Sequence, residues 1–172
     1  MKVRWDDNLG YWLFYSQRSV AYAFSEVLRQ CCQEHKKPYV ITPPQFGVLA
    51  LLHEMGSTTI GNISQKRGLD APTITGIVKR LEQSDLVERL HDREDRRVVK
   101  VCLTDEAYDF MPILSDAVDA FYDILTKGLS EGEQGDLRTK LQHIIVNVAA
   151  VAPGTGDRFG LLPPNFQCDP SE

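Results

Sequence analysis

The sequence predicts a mainly α-helical fold that carries one short β-hairpin, and three observations lead there. Apolar residues recur at helical spacing through most of the 172 residues. The period switches to strict alternation only between residues 86 and 103. That alternating stretch follows directly on a short helix, a glycine turn and a second, well-capped helix. Short helix, tight turn and second helix make a helix-turn-helix, and a hairpin immediately behind it makes the winged version. The expected organisation is therefore an N-terminal long helix within residues 1–40, a winged helix-turn-helix over 41–104, two further long helices over 105–151 and an irregular tail over 152–172.

The first helix runs from Leu9 to about Gln33 with no proline to interrupt it. Leu13, Val20, Phe24, Val27 and Cys31 form one apolar stripe, and Tyr11, Phe14, Tyr15, Arg18 and Tyr22 form a second. A helix with two apolar faces needs two surfaces to pack against, which a small domain rarely supplies alone. After the loop "HKKPYVIT", Thr42-Pro43-Pro44-Gln45 opens the next helix: Thr42 caps, Pro43 sits where a missing N–H costs nothing, and Gln45 closes a capping box. Phe46, Leu49 and Leu52 are its expected buried face, and Gly56 ends it. Thr59 caps a short helix that stops at Gly68. Asp70 caps the following one, which has Pro72 in its first turn and Ile74, Ile77, Val78 and Leu81 as its buried stripe.

"LVERL" (86–90) and "VVKVCL" (98–103) read as two strands joined by the charged tip "HDREDRR", with Val99, Val101 and Leu103 anchoring the hairpin. Thr104 then caps a long helix through Pro112, carrying Ala107, Phe110, Met111, Leu114, Val118, Phe121 and Leu125. Ser130 and Glu133 form a second capping box, ahead of Leu137, Leu141, Ile144, Ile145 and Val148. The Pro- and Gly-rich tail is expected to dock through Phe159, Leu161, Leu162 and Phe166.

Composition narrows the function. With 42% hydrophobic and 25% charged residues the chain sits in the globular range, and no apolar run approaches the ~18 residues of a membrane span. The start "MKVRWDDNLG" has no leader character, so a cytoplasmic, membrane-free protein is expected. Cys31, Cys32, Cys102 and Cys168 lack metal-site spacing and are too few for a disulfide scaffold, so reduced thiols are the default. His35, His53, His91 and His143 are scattered, and neither a metal nor a cofactor is expected. The formal charge of -5 hides a split: residues 60–103 hold nine Lys and Arg against seven Asp and Glu, the remainder ten against seventeen. Such charge asymmetry within one chain points to a locally basic surface on an acidic body. No nucleophile elbow, phosphate-binding glycine loop or matched acid and base supports an enzyme.

Burying Ile74, Ile77, Val78 and Leu81 leaves Pro72, Thr75, Gly76, Lys79 and Gln83 on the opposite face, with Thr73 and Arg80 at its margins. This small polar surface with a basic end suits a major groove, and the helix's first turn offers N–H groups to a phosphate. In the hairpin tip, Asp92, Glu94 and Asp95 alternate with Arg93, Arg96 and Arg97, so ion pairing can hold a guanidinium extended toward a narrow minor groove.

The stretch "GNISQKRGLDAPTITGIVKRLEQSDLVERLHDREDRRVVKVCLTDEA" closely resembles the MarR family of bacterial transcriptional regulators. The likeness rests on T-x-T-G-x-V-x-R-L-E (Thr73 to Glu82), D-L-V-E-R (Asp85 to Arg89) and D-x-x-D-R-R followed by L-T (Asp92 to Thr104). It implies a homodimer in which the N-terminal helix and the last two helices of each subunit intertwine, binding a pseudo-palindromic double-stranded DNA operator, usually as a repressor. It also implies that Arg97 enters the minor groove and that Asp95 orients it; Arg93 and Arg96 then fall on phosphates. Asp85 stands where the family often has glycine, read as a harmless helix end, and Lys79 where an acid is common.

The same resemblance implies a small effector, often an aromatic acid or related anion. Tyr11, Phe14, Tyr15 and Tyr22 offer aromatic walls and Arg18 an anchor for a carboxylate, although the same residues also suit a dimer core. Two alternatives remain: a redox sensor acting through Cys31 and Cys32, with His35, Lys36 and Lys37 as positive residues following them in sequence, and a winged-helix module that binds protein.

Overall fold

Each helix begins where a side chain can take over an orphaned backbone donor. The computed structural model describes residues 8–92 and 95–151. Within them the elements run α1 (Leu9–Glu34), α2 (Pro43–Met55), β1 (Thr58–Thr59), α3 (Ile60–Arg67), α4 (Ala71–Gln83), β2 (Val87–His91), β3 (Val99–Leu103), α5 (Asp105–Leu125) and α6 (Glu131–Val151). Gln45 Oε1 accepts from the N–H and the hydroxyl of Thr42 at 2.9 and 2.8 Å. The Thr59 hydroxyl oxygen accepts from the Asn62 N–H, and that of Thr104 from the Ala107 N–H. At α6, Ser130 and Glu133 bond reciprocally. Such caps are typically worth ~1 kcal/mol each.

The core lies where the second half of α1, α2, α4, β3 and α5 meet. Leu28, Leu49, Leu52, Ile63, Ile74, Val78, Leu81, Val101, Phe110 and Leu114 are completely or almost completely removed from water there. α3 and α4 meet through the turn at Gly68, whose left-handed φ of 60° ends α3. α5 continues through Pro112 as one helix.

Four features differ from the sequence expectation. The hairpin is the greater part of a three-stranded antiparallel sheet, order β1-β3-β2, because Thr58 and Thr59 pair with Val101 and Lys100. Val101 and Leu103 are buried, but Val99, at the tip end of β3, is exposed. Leu125 is exposed, and on α6 Leu137, Leu141 and Val148 are exposed too, with no described element covering them. Asp85 is no neutral helix end: its φ of 55° is left-handed, which explains why glycine suits the position. Its carbonyl is held there by the Thr104 hydroxyl at 2.7 Å.

The α1–α2 loop is tied to the start of α5. Lys37 Nζ lies 2.6 Å from Glu106 Oε1 and 4.5 Å above the Phe110 ring, and the Tyr39 hydroxyl donates to the same carboxylate at 3.1 Å. The two donors hold Glu106 below the usual carboxylate range, Lys37 contributing most. No described helix is long and apolar enough to cross a membrane. Arg93, Glu94, Cys168 and the tail residues Phe159, Leu161, Leu162 and Phe166 lie outside the described residues.

Candidate nucleic-acid interface

α4 buries one side completely and leaves the other bare. Ile74, Ile77, Val78 and Leu81 face the core, while Pro72, Thr73, Thr75, Lys79, Arg80 and Gln83 line the outer side, all of them exposed. Gly76 adds nothing to the outer face: a Cβ there would meet no atom within 4 Å, so the surface stays flat between Thr75 and Lys79. The Thr75 hydroxyl donates to the Ala71 carbonyl at 2.7 Å, which fixes its orientation on that face. The first turn is less open than the sequence suggests. Asp70 Oδ1 already accepts from the Thr73 N–H at 2.7 Å, so the cap occupies a donor expected to be free for phosphate.

In the wing tip Asp92 and Asp95 have different tasks. Asp95 grips Arg97 with both oxygens, Oδ1 to Nε at 3.0 Å and Oδ2 to Nη2 at 3.1 Å, while Oδ1 also accepts from the Arg97 N–H. That guanidinium lowers the Asp95 pKa, so the pair stays charged at neutral pH. The Arg97 side chain is nevertheless 90% exposed. A bidentate pair fixes the guanidinium plane yet leaves its outer N–H groups open to an incoming acceptor. Asp92 pairs with Lys100 at 2.5 Å and accepts from the Asp95 N–H. His91 Nδ1–H donates to the Arg96 carbonyl at 2.8 Å, closing the turn and leaving Arg96 exposed. Glu82 on α4 pairs with Arg89 on β2 at 3.0 Å, linking recognition helix and wing.

The residues expected to hold an effector sit apart from this surface. Tyr11 and Tyr15 meet with ring centroids 4.4 Å apart, and Phe14 meets Tyr15 edge-on. Phe14, Tyr15, Arg18 and Tyr22 are all exposed along α1, and Tyr11 is half-buried. An open pocket of about 440 Å³ lies further along, between Val27, Gln30, Cys31, Glu34 and His35 at the end of α1 and Ile113, Asp116 and Ala117 of α5, and none of the five expected residues lines it. Its carboxylates, Glu34 and Asp116, make it a poor seat for an anion. Sequence reading passed over it because its two walls are some eighty residues apart; only the helical spacing of positions 27, 31 and 34 hinted at a shared face.

Cys31 and Cys32 are buried, and burial raises both thiols, which keeps them protonated. This environment does not favour a reactive thiolate. Cys102, half-buried beside Glu88, is raised as well. Among the described residues no group of three or more His, Cys, Asp and Glu could hold a metal ion.

Comparison with known proteins agrees with the winged-helix fold. The profile described as the MarR family matches residues 41–99. The uncharacterized HTH-type transcriptional regulator YsmB of Bacillus subtilis is 42% identical over 80 residues, a match that spans 46% of this chain and only 55% of that protein. The HTH-type transcriptional regulator MgrA of Staphylococcus aureus is 33% identical over 109 residues, spanning 63% of this chain and 73% of its own. Among solved structures, a probable transcriptional regulator from Pseudomonas aeruginosa superposes with a TM-score of 0.68 at 27% identity, covering 82% of this chain and 99% of the other. The repressor CouR of Rhodococcus jostii RHA1, bound to a 23-mer DNA duplex, superposes with a TM-score of 0.69 at 26% identity, covering 81% and 93%.

Proposed function

The chain belongs to the MarR family of winged helix-turn-helix transcriptional regulators, and from that premise we propose that it is a cytoplasmic repressor that grips a pseudo-palindromic operator as a homodimer and lets go when a small anionic effector binds. The observation that carries this reading is the pairing of a bare polar face on α4 with an arginine held extended on the wing by Asp95. Pro72, Thr73, Thr75 and Gly76 meet base edges in the major groove, and Lys79 meets a phosphate or a guanine. Arg97 enters the adjacent minor groove, where the negative potential is strongest, and Arg93 and Arg96 take phosphates beside it. The two recognition helices of a dimer then read half-sites about one turn, ~10 base pairs, apart. A 23-mer duplex of the kind CouR was bound to is long enough for both.

The dimer is supported by apolar surface that the described residues of one chain leave uncovered. Trp12, Phe14 and Tyr22 on α1, Tyr122 and Ile124 on α5, and Leu137 and Leu141 on α6 are all exposed on the long helices. A second copy supplies the missing cover, which also accounts for the two-faced first helix. The effector belongs at the Tyr11, Phe14, Tyr15, Arg18, Tyr22 stripe rather than in the acidic pocket. Arg18 is exposed beside these rings and can anchor an aromatic carboxylate once the partner subunit walls the site.

The test is a mobility shift with duplexes from the region upstream of the protein's own gene. Binding is expected at low salt, with an affinity that falls steeply as salt rises. If none of these duplexes shifts at low salt, the reading fails. Aromatic acids and their thioesters that raise the thermal midpoint should then release the DNA, and Arg18→Ala should abolish release while leaving DNA affinity unchanged.

A further inference from the structure

Gly47 is a buried glycine in the second turn of α2, at a helical position where glycine is destabilising relative to alanine. What fills the space of the missing side chain is the guanidinium of Arg67, the last residue of α3. A Cβ at position 47 would lie only 2.5 Å from Arg67 Cζ and 3.0 Å from Nε, so the guanidinium rests on the α2 backbone itself. Arg67 remains exposed on this seat, and none of the ion pairs among the described residues involves it. An arginine laid on a backbone surface has given up part of its side-chain freedom without committing its donors to a carboxylate.

Its position in the fold gives that seat a use. Arg67 precedes Gly68 and the Asp70 cap, so it stands at the turn from which α4 starts. α4 leads away from this turn to Gln83 and on to β2, whose far end carries the wing. Arg67 and Arg97 therefore bracket the recognition helix, one at its N-terminal end and one on the hairpin behind its C-terminal end. A helix seated in a major groove has a phosphate backbone on either side of it.

We propose that Arg67 is a pre-positioned phosphate-binding residue that holds the DNA backbone on the flank of the major groove opposite the wing, and that position 47 is glycine because the guanidinium needs that seat. The partner is a phosphate rather than a base, because the guanidinium lies against α2 and off the face of α4 that enters the groove. This inference rests on the DNA-binding reading above and adds a third point of attachment to it.

The test uses the full chain and a fluorescein-labelled duplex of random sequence, since phosphate binding operates without sequence preference. Anisotropy titrations over a range of KCl concentrations give affinity and the slope of log K against log[KCl]. Arg67→Ala should lower affinity about fivefold and flatten the slope by about one for each phosphate no longer neutralised, about two for a dimer on both half-sites. Gly47→Ala should also lower affinity while its thermal midpoint holds or rises, because the added methyl displaces only the end of a flexible side chain and alanine favours the helix. The double variant should bind no worse than Arg67→Ala alone. An unchanged affinity and slope in Arg67→Ala, with Arg97→Ala weakened in the same assay, would overturn the proposal and spare the DNA-binding reading. Additive losses from Gly47→Ala and Arg67→Ala would overturn the seat. A wild-type chain that binds no duplex at the lowest salt would sink both readings together.

Discussion

α4 and α6 are both helices with apolar residues at helical spacing, yet their fates within one chain are opposite. On α4, Ile74, Val78 and Leu81 are fully sealed from water, and on α6 Leu137 is 48% and Val148 53% exposed. α4 lies within reach of α2, α3 and β2, elements close to it along the chain. α6 leaves α5 through a short turn and meets no comparable surface among the described residues. An apolar stripe therefore announces that a face will be buried, without saying whether the same chain does the burying.

The sharpest way to break this comparison is to damage both helices. Leu81→Ala should lower the unfolding free energy by about 2–5 kcal/mol at every protein concentration, as read by urea titration, because a fully enclosed leucine leaves a cavity. Leu141→Asp should instead act on association: sedimentation should show the dimer dissociating at least about tenfold more readily, ~1.4 kcal/mol, with little loss of helix signal in the monomer. Equal, concentration-independent destabilisation by both would mean that α6 is covered within its own subunit.

Within the DNA-facing region, Arg97→Ala should cost on the order of 1–3 kcal/mol of operator affinity while sedimentation still reports an intact dimer; an unaltered titration would remove the wing from the mechanism. Asp85→Gly should raise stability by about 0.5–1 kcal/mol by relieving the left-handed backbone, and a lower melting midpoint would show that the Asp85 side chain contributes more than its conformation costs. The smallest effect concerns the tie between the α1–α2 loop and α5. Lys37 and Tyr39 hold the Glu106 carboxyl below its ordinary value of 4.5, so its contribution is present above that pH and is lost as pH falls through the lowered value. Melting midpoints of Glu106→Gln and the wild type should accordingly converge on acidification; a constant gap between them would assign the effect to packing.

Local rules made most of the winged unit legible. Thr59, Asp70 and Thr104 cap their helices, Gly68 ends α3, and the four-residue stripe of α4 faces inward, because each of these outcomes is decided by residues within one or two turns of chain. β1 was not legible, since two threonines have no pattern of their own and become a strand only by pairing with Val101 and Lys100. Val99 was misjudged for a related reason: alternation assigns a side of the hairpin but not how far the body extends beneath it. At the wing, Asp95 and Arg97 could be paired from their spacing, whereas Asp92 turned to Lys100 across the strands.

What the sequence determined by itself was the order of elements, their ends, the inward face of α4 and the charged tip behind it, all products of capping, periodicity and short-range pairing. Only the tertiary structure decided that a guanidinium at position 67 lies on a glycine at position 47, that the α1 aromatics stand apart from the pocket between α1 and α5, and that Cys31 and Cys32 are too buried to ionise readily. Those outcomes depend on surfaces brought together from distant parts of the chain. Packing of that kind is set by shape and the exclusion of water, neither of which leaves a period in the sequence.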